Sequence, residues 1–125
     1  MKRNLSLSQP KDLQRTRRAI MSLATELGFS RLELTKLLNA AAELSQDVLD
    51  RNSQANISIE KVSYLGRVGI RFILEQPVTK GKENEGIETF QRRDVIQAVR
   101  QIVDQFEINP LSDNEFSIKI TIWQE

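Results

Sequence analysis

Residues 34–50 read LTKLLNAAAELSQDVLD, and this stretch decides the fold because it carries the clearest helical pattern in the chain. Its apolar residues recur at steps of three and four, which is the spacing of one buried helix face. Asn39, Glu43 and Asp47 are each four residues apart and fall on another face. The stretch predicts a central packed helix with a separate polar row. The apolar residues are Leu34, Leu37, Leu38, Ala41, Leu44 and Val48.

The polar row has two interpretations. Carboxylate and amide side chains aligned beside a packed helix can contact a metal ion or a phosphate. A hydrated helix surface is the commoner explanation, since charged side chains mostly face water. The residues of the helix alone leave both interpretations open.

Composition limits the function classes. The chain has 125 residues, 39% hydrophobic and 28% charged, which is ordinary for one globular domain spanning residues 1–125. Its 18 basic and 17 acidic residues nearly cancel, so we expect no nucleic-acid partner and no membrane surface. The lack of cysteine and histidine excludes thiolate, zinc-thiolate and histidine chemistry. Without a membrane span or a signal peptide, a cytoplasmic location is expected.

The first 28 residues predict a strand and a helix. Residues 4–8 alternate leucine with polar residues, as a short edge strand does. Pro10 opens a helix that Gly28 ends. The outer side of this helix carries a small basic face, which is either a hydrated surface or a docking surface for a protein partner. That face consists of Lys11, Arg15 and Arg18.

A second helix and a hairpin follow. Ser30 and Glu33 have the spacing of a capping box, which predicts that the central helix begins after Ser30 and runs to about Arg51. Residues 56–62 and 66–76 are rich in β-forming residues, with a turn at residues 64–66. They predict an antiparallel hairpin.

The last third of the chain begins with a charged segment. Residues 78–93 contain two glycines and no clear period, which predicts a mobile connection. Asp94 is expected to cap a third helix, and residues 106–111 and 114–125 are expected to form strands. The predicted apolar stripe of the third helix is Val95, Ile96, Val99, Ile102, Val103 and Phe106.

The order of predicted elements favours an α+β fold. Strands with helices collected between them are typical of a two-layer α/β sandwich, with helices on one face of a largely antiparallel mixed sheet. The other face of the sheet is then exposed or used for association, so a homodimer is possible.

Two segments carry a resemblance to a known family. Residues 18–49 and 99–123 resemble the anti-sigma-factor and switch serine kinases of bacterial partner-switching pathways, which belong to the GHKL superfamily of ATPases. The order of elements matches over nearly the full length. The resemblance implies a Bergerat-type, histidine kinase-like ATPase fold with a nucleotide site built from three motifs.

The first family motif, E-L-x-x-N, corresponds to residues 43–47, ELSQD. In the family the glutamate is the general base and the asparagine holds magnesium. The resemblance therefore makes Glu43 the candidate base and Asp47 the candidate magnesium ligand, because hard cations also accept carboxylates. Asn39, one turn before Glu43, is a further candidate for contact with the cofactor.

The other two motifs are altered. Where the family has D-x-G-x-G for adenine recognition, this chain has Glu75 and Gln76 without a nearby glycine, so the backbone lacks the freedom for close approach. Where a glycine-rich loop would cradle phosphates, it has Arg92 and Arg93, which could pair with anions. The resemblance thus assigns these four residues to the cofactor site, although the two family motifs are degraded in this chain.

The degraded motifs favour a regulatory protein-binding module, a pseudokinase in which ATP binding is lost or weakened. By resemblance, its partner is a STAS-type antagonist or a sigma factor. The alternative is an active serine protein kinase that uses ATP and magnesium, with Glu43 activating the substrate hydroxyl and Asp47 holding the metal. A dimerising structural domain is a third possibility.

Overall fold

The computed structural model describes residues 2–77, 93–112 and 115–125, and within them the chain forms a five-stranded sheet and three helices. The strand order is β1-β2-β3-β5-β4, and every described pair of neighbours is antiparallel. The two-layer α+β prediction is confirmed, although the sheet is antiparallel and not mixed in these residues. The strands are β1 (Lys2–Leu7), β2 (Ala55–Tyr64), β3 (Arg67–Pro77), β4 (Gln105–Ser112) and β5 (Glu115–Trp123), and the helices are α1 (Lys11–Glu26), α2 (Arg31–Asp50) and α3 (Asp94–Ile102).

The central helix α2 begins with the predicted capping box. The hydroxyl of Ser30 accepts a hydrogen bond from the backbone N–H of Glu33 at 3.1 Å, and the Glu33 carboxylate accepts from the N–H of Ser30 at 2.7 Å. These bonds satisfy two of the backbone donors that a helix start leaves unpaired. The connection from α1 passes through Gly28, whose φ of +75° is favourable for glycine.

Two carboxylates near helix starts have lowered pKa values. Burial raises the pKa of Glu33, but hydrogen bonds from Ser30 and from the backbone N–H of Glu125 outweigh it, so the pKa lies below its ordinary value. The pKa of Asp12 is lowered mainly by hydrogen bonds to its carboxylate. Its Oδ2 accepts these bonds from the backbone N–H groups of Ser8 and Gln9 at 2.9 and 3.0 Å. Both groups therefore favour the folded state in their charged form.

The core lies between the helices and one face of the sheet. Alternate residues of β2, β3 and β5 are fully buried there, including Ile59, Phe72 and Ile120. Leu37 and Leu44 of α2 pack against them. The predicted stripe of α2 is thus confirmed at its centre, while Leu34 and Leu38 at its sides are half-buried. α2 lies between α1 and α3, since it contacts both.

The opposite face of the sheet carries mostly polar side chains. Trp123 also lies on this face and is buried. Trp123 pairs with Gly69 across β5 and β3, and its ring occupies the space that a Cβ at Gly69 would need. The guanidinium of Arg67 lies 5.3 Å from the centroid of this ring. Leu65 and Gly66 form the turn of the β2–β3 hairpin, with φ values of 50° and 79° as a two-residue hairpin turn requires. Homodimer formation through this face stays a prediction.

The third helix differs from its prediction at both ends. Its N-cap is Arg93 rather than Asp94, and it ends at Ile102, so Phe106 belongs to β4. The predicted stripe extended too far because Phe106 continues the helical spacing by coincidence. Beyond the helix the chain pairs with β5. The backbone N–H of Asp104 donates to the carbonyl of Thr121, and the carboxylate of Asp104 accepts from the backbone N–H of Trp123. The predicted mobile connection falls almost wholly on residues 78–92, outside the described residues.

Candidate functional site

Asp47 lies at the centre of the candidate site, where both of its carboxylate oxygens bind arginine. Arg51 donates to Oδ2 through Nε at 3.1 Å and contacts it through Nη2 at 3.0 Å. Arg93 donates to Oδ1 through Nη2 at 3.0 Å. Hydrogen bonds between ionised groups are stronger than those between neutral groups. The predicted magnesium ligand therefore already holds two cationic groups.

Gln76 extends this arrangement to the sheet. Its Oε1 accepts a hydrogen bond from Nη2 of Arg51 at 3.0 Å. Since a guanidinium can only donate, this contact identifies the amide atom facing Arg51 as the oxygen. Gln76 is only 2% exposed, and its Nε2 has no hydrogen-bond partner in the described part of the chain. We call Asp47, Arg51, Gln76 and Arg93 the Asp47 cluster.

Three elements bring the Asp47 cluster together. Asp47 and Arg51 are four residues apart on α2 and share a helix face. Gln76 occupies the end of β3, on the side of the sheet that faces the helices, and Arg93 is the N-cap of α3. The side chains of Asp47, Arg51 and Arg93 are 12%, 18% and 29% exposed, so water screens these ion pairs less than it screens a surface pair.

The Asp47 cluster combines one carboxylate with two guanidinium groups. A divalent cation at Asp47 would lie close to the two guanidinium groups that already contact this carboxylate. The described residues contain no group of three or more histidine, cysteine, aspartate or glutamate side chains able to hold a metal ion. At Gln76 the free group is a donor, whereas the adenine amino group needs an acceptor.

The remaining predicted site residues lie apart from this cluster. Glu43 and Asn39 are exposed on α2, one and two turns before Asp47. Glu75 is exposed on the polar face of the sheet, where it lines a shallow depression beside Asn56 and Ser58, whereas Gln76 is buried on the other face. Side chains of neighbouring strand residues point to opposite faces, which separates the two. A role for Glu75 in a cofactor site stays a prediction. Arg92 lies outside the described residues, and Lys11, Arg15 and Arg18 are all exposed on α1.

Two residues of functional interest were missed from the sequence. Arg51 was treated only as the end of the central helix, although its spacing of four from Asp47 is the pattern of a helical ion pair. Ser45, inside the first family motif, is fully buried, and its hydroxyl has no hydrogen-bond partner among the described residues. A serine in a helix gives no sequence signal of this kind, since its partner is decided by the neighbouring helix.

Comparison with known proteins gives one distant relative. The chain is 23% identical over 118 residues to the serine/threonine-protein kinase RsbT of Bacillus subtilis (strain 168), and the match covers 90% of this chain and 89% of that protein. No model of a known protein family matches. The similarity supports a relationship with regulatory serine kinases. Among the helices of the described residues, none combines the length and the apolar character needed to cross a membrane.

Proposed function

We propose that this chain is a regulatory protein-binding module related to the switch serine kinases, in which arginine side chains have replaced magnesium and nucleotide at the Asp47 cluster. The observation that carries the proposal is the pairing of both Asp47 oxygens with Arg51 and Arg93. The similarity to RsbT over 90% of the chain supports the kinase-like ancestry.

The energetics of the cluster favour this function over nucleotide binding. Magnesium binding at Asp47 would compete with its two arginine partners and would place a dication beside both guanidiniums, which repel it. The atom of Gln76 without a partner among the described residues is its Nε2, a donor, which does not match the amino group of adenine. ATP bound with magnesium is therefore disfavoured.

The partner follows from the family resemblance and from the surface of α1. A STAS-type antagonist or a sigma factor is the partner expected of a partner-switching protein. The exposed basic side chains Lys11, Arg15 and Arg18 give α1 a positive outer face that complements an acidic partner surface. In this function the chain acts in the cytoplasm by sequestering its partner.

Calorimetry with ATP and magnesium tests the proposal. We expect no heat of binding at about 1 mM nucleotide for the natural chain. This result would place the dissociation constant above about 1 mM, which corresponds to a binding free energy weaker than about −4 kcal/mol. The double substitution Arg51→Met and Arg93→Met frees the Asp47 carboxylate and is expected to restore magnesium binding. Arg71→Met, which removes an ion pair to Glu60 on the polar face of the sheet, is the matched control. A micromolar site in the natural chain that Asp47→Ala abolishes would contradict the proposal.

An active kinase is the second candidate, and the position of Glu43 favours it. Glu43 is exposed, and it has no ion pair of 4 Å or less with another described residue. A carboxylate in that state is available as a general base. Transfer of labelled phosphate from ATP to a STAS-domain protein, lost in Glu43→Gln, would establish this activity. Binding of the same STAS protein without transfer would support the regulatory module.

A further inference from the structure

The turn between β2 and β3 presents two large side chains with apolar surface to solvent. Leu65 is 84% exposed and Tyr64 is 64% exposed. Leu65 has a φ of 50°, and Gly66 after it has a φ of 79°. Such a turn favours asparagine followed by glycine, because a bulky side chain is crowded in the left-handed region. The chain thus holds a leucine at the end of the hairpin at a conformational cost, which is typical of a functional position. We call Tyr64 and Leu65 the hairpin tip.

A depression between α1 and α2 offers accessible apolar atoms on the helical layer. It has a volume of about 380 Å³, which is enough for a large side chain. Leu13 and Leu38 line it and are half-buried, so part of each side chain stays open to contact. Ala42, also in the lining, is exposed and too short to cover the depression.

The hairpin tip and this depression lie too far apart to meet in one molecule. The backbone N–H of Gln124 donates to the carbonyl of Val68 beside the hairpin, and its side chain donates to the carbonyl of Leu27 at the end of α1. The hairpin therefore lies near the C-terminal end of α1. The depression begins at Leu13, near the start of α1, and lies in the other layer of the fold. Only a second copy can bring a hairpin tip to it.

Charged side chains beside the two surfaces are complementary. Lys61 and Arg67 are exposed on either side of the hairpin tip, and the segment between them contains no acidic residue. Glu43 is exposed in the lining of the depression and has no ion pair with another described residue. Arg17, in the same lining, is exposed, and guanidinium groups favour the face of an aromatic ring such as that of Tyr64.

We propose that the hairpin tip of one copy of this chain docks in the depression between α1 and α2 of a second copy. Leu65 packs against Leu13, Leu38 and Ala42, and a basic side chain beside the tip faces Glu43. Because the two docking surfaces differ, each bound copy keeps one of them free, and the contact joins copies head to tail. This contact does not depend on the function proposed above.

Dilution of the ¹⁵N-labelled full chain from about 1 mM to about 0.05 mM, followed by amide chemical shifts, tests this contact. We expect concentration-dependent shifts in two regions, residues 61–68 and the lining of the depression. The contact area is small, so we expect a dissociation constant on the order of 1 mM, and an average mass in sedimentation equilibrium that rises with concentration. No shifts on dilution, or shifts in one of the two regions alone, would overturn the proposal.

Two variants show whether the two surfaces meet each other. Leu65→Asn removes the apolar tip and suits the left-handed turn, whereas Ala42→Phe fills the depression and leaves the tip intact. Each variant alone is expected to associate at least about 10-fold more weakly than the natural chain. Leu111→Asn, at an exposed leucine of β4, is the matched control and should associate like the natural chain.

Mixing the two variants restores one complete contact. Labelled Leu65→Asn with an excess of unlabelled Ala42→Phe should show shifts in the lining of the depression alone. Labelled Ala42→Phe with unlabelled Leu65→Asn should show shifts at the hairpin tip alone. Spectra that do not change in either mixture would refute the pairing of these two surfaces, and so would equal loss of association in Leu111→Asn.

Discussion

Asp47 and Arg93 lie 46 residues apart in the sequence, yet their side chains form an ion pair of 3.0 Å. This contact connects the second half of α2 to Arg93, the N-cap residue of α3. Because Arg51 pairs with the other carboxylate oxygen and with Gln76, one acidic side chain links two helices and a strand. Asp47 therefore has a structural role that is independent of any nucleotide.

Asp47→Ala should lower the free energy of unfolding by about 1–3 kcal/mol, because it removes a carboxylate that two partly buried guanidiniums share. Urea unfolding monitored by circular dichroism measures this change. Asp50→Ala is the control on the same helix, since Asp50 is exposed and accepts from Gln46 alone among the described residues; its effect should stay within about 0.5 kcal/mol. Equal effects of the two substitutions would contradict the role of Asp47.

A double-mutant cycle with Arg93→Met should give a coupling energy to Asp47 of about 0.5–3 kcal/mol, as expected for residues in direct contact. The same unfolding experiment on the two single variants and the double variant supplies the four values. A coupling within error of zero would mean that this ion pair does not hold α3 to α2. Raising the salt concentration should reduce the coupling only weakly, since both side chains are mostly buried.

Ser30→Ala should destabilise the chain by about 1 kcal/mol, because it removes the hydroxyl that accepts from the N–H of Glu33. Thermal unfolding provides the measurement. Ser22→Ala, an exposed serine within α1, removes a hydroxyl from a helix interior and should change stability by less than about 0.5 kcal/mol. If both serines had the same small effect, the capping box would contribute nothing to the stability of α2.

Gly69→Ala should destabilise the sheet by about 1–3 kcal/mol, since its Cβ would lie 2.7 Å from Cε3 of Trp123 and 3.0 Å from the carbonyl oxygen of Ile122. Adding Trp123→Leu to this variant should recover part of the loss. Denaturant unfolding and the near-ultraviolet spectrum of the single tryptophan report the two effects.

Gly66→Ala is the matched control for conformation, because a Cβ there meets no atom within 4 Å but φ is +79°. It should cost about 1 kcal/mol through backbone strain, and Gly66→Asn should cost less, as asparagine tolerates this conformation. Since Gly69 does not have a positive φ, a Gly69→Ala variant no more destabilised than Gly66→Ala would contradict a clash with Trp123.

Stability should fall on acidification as Glu33 and Asp12 become protonated. Both have folded-state pKa values below the ordinary values of 4.5 and 3.8, so the unfolded chain binds protons first as the pH falls. Their contribution is complete above about pH 5 and is lost as the pH falls through the lowered folded-state pKa values. Unfolding measured between about pH 7 and pH 2 should show a smaller loss for Glu33→Gln than for the natural chain. Glu26→Gln, at an exposed position of α1, should retain the full loss.

Local patterns were sufficient to predict most elements. The capping box of Ser30 and Glu33 correctly located the start of α2, and alternation around Phe72 correctly predicted the buried strand of the hairpin. The error at Phe106 arose because the spacing of apolar residues does not show where the backbone begins to pair with another strand. In the structure this pairing begins at Asp104, whose hydrogen-bond partners lie on β5.

The candidate site was predictable in part. The family resemblance selected Asp47, Gln76 and Arg93 from three separate segments, and the structure brings these three together. It could not indicate that they bind one another, nor that Arg51 connects them, because ion-pair geometry depends on how α2, α3 and β3 pack. Glu75 was assigned to the same site, although the alternation of the strand already places it on the opposite face from Gln76.

The stretch at residues 34–50 determines a helix and its buried face by itself, because the spacing of its apolar residues and the cap at Ser30 are local properties. The meaning of its polar row was decided only by tertiary structure. Packing of α3 and the end of β3 against α2 places Arg93 and Gln76 within reach of Asp47 and Arg51. Glu43, on the same row, has no ion pair with a described residue and stays exposed beside the depression between α1 and α2.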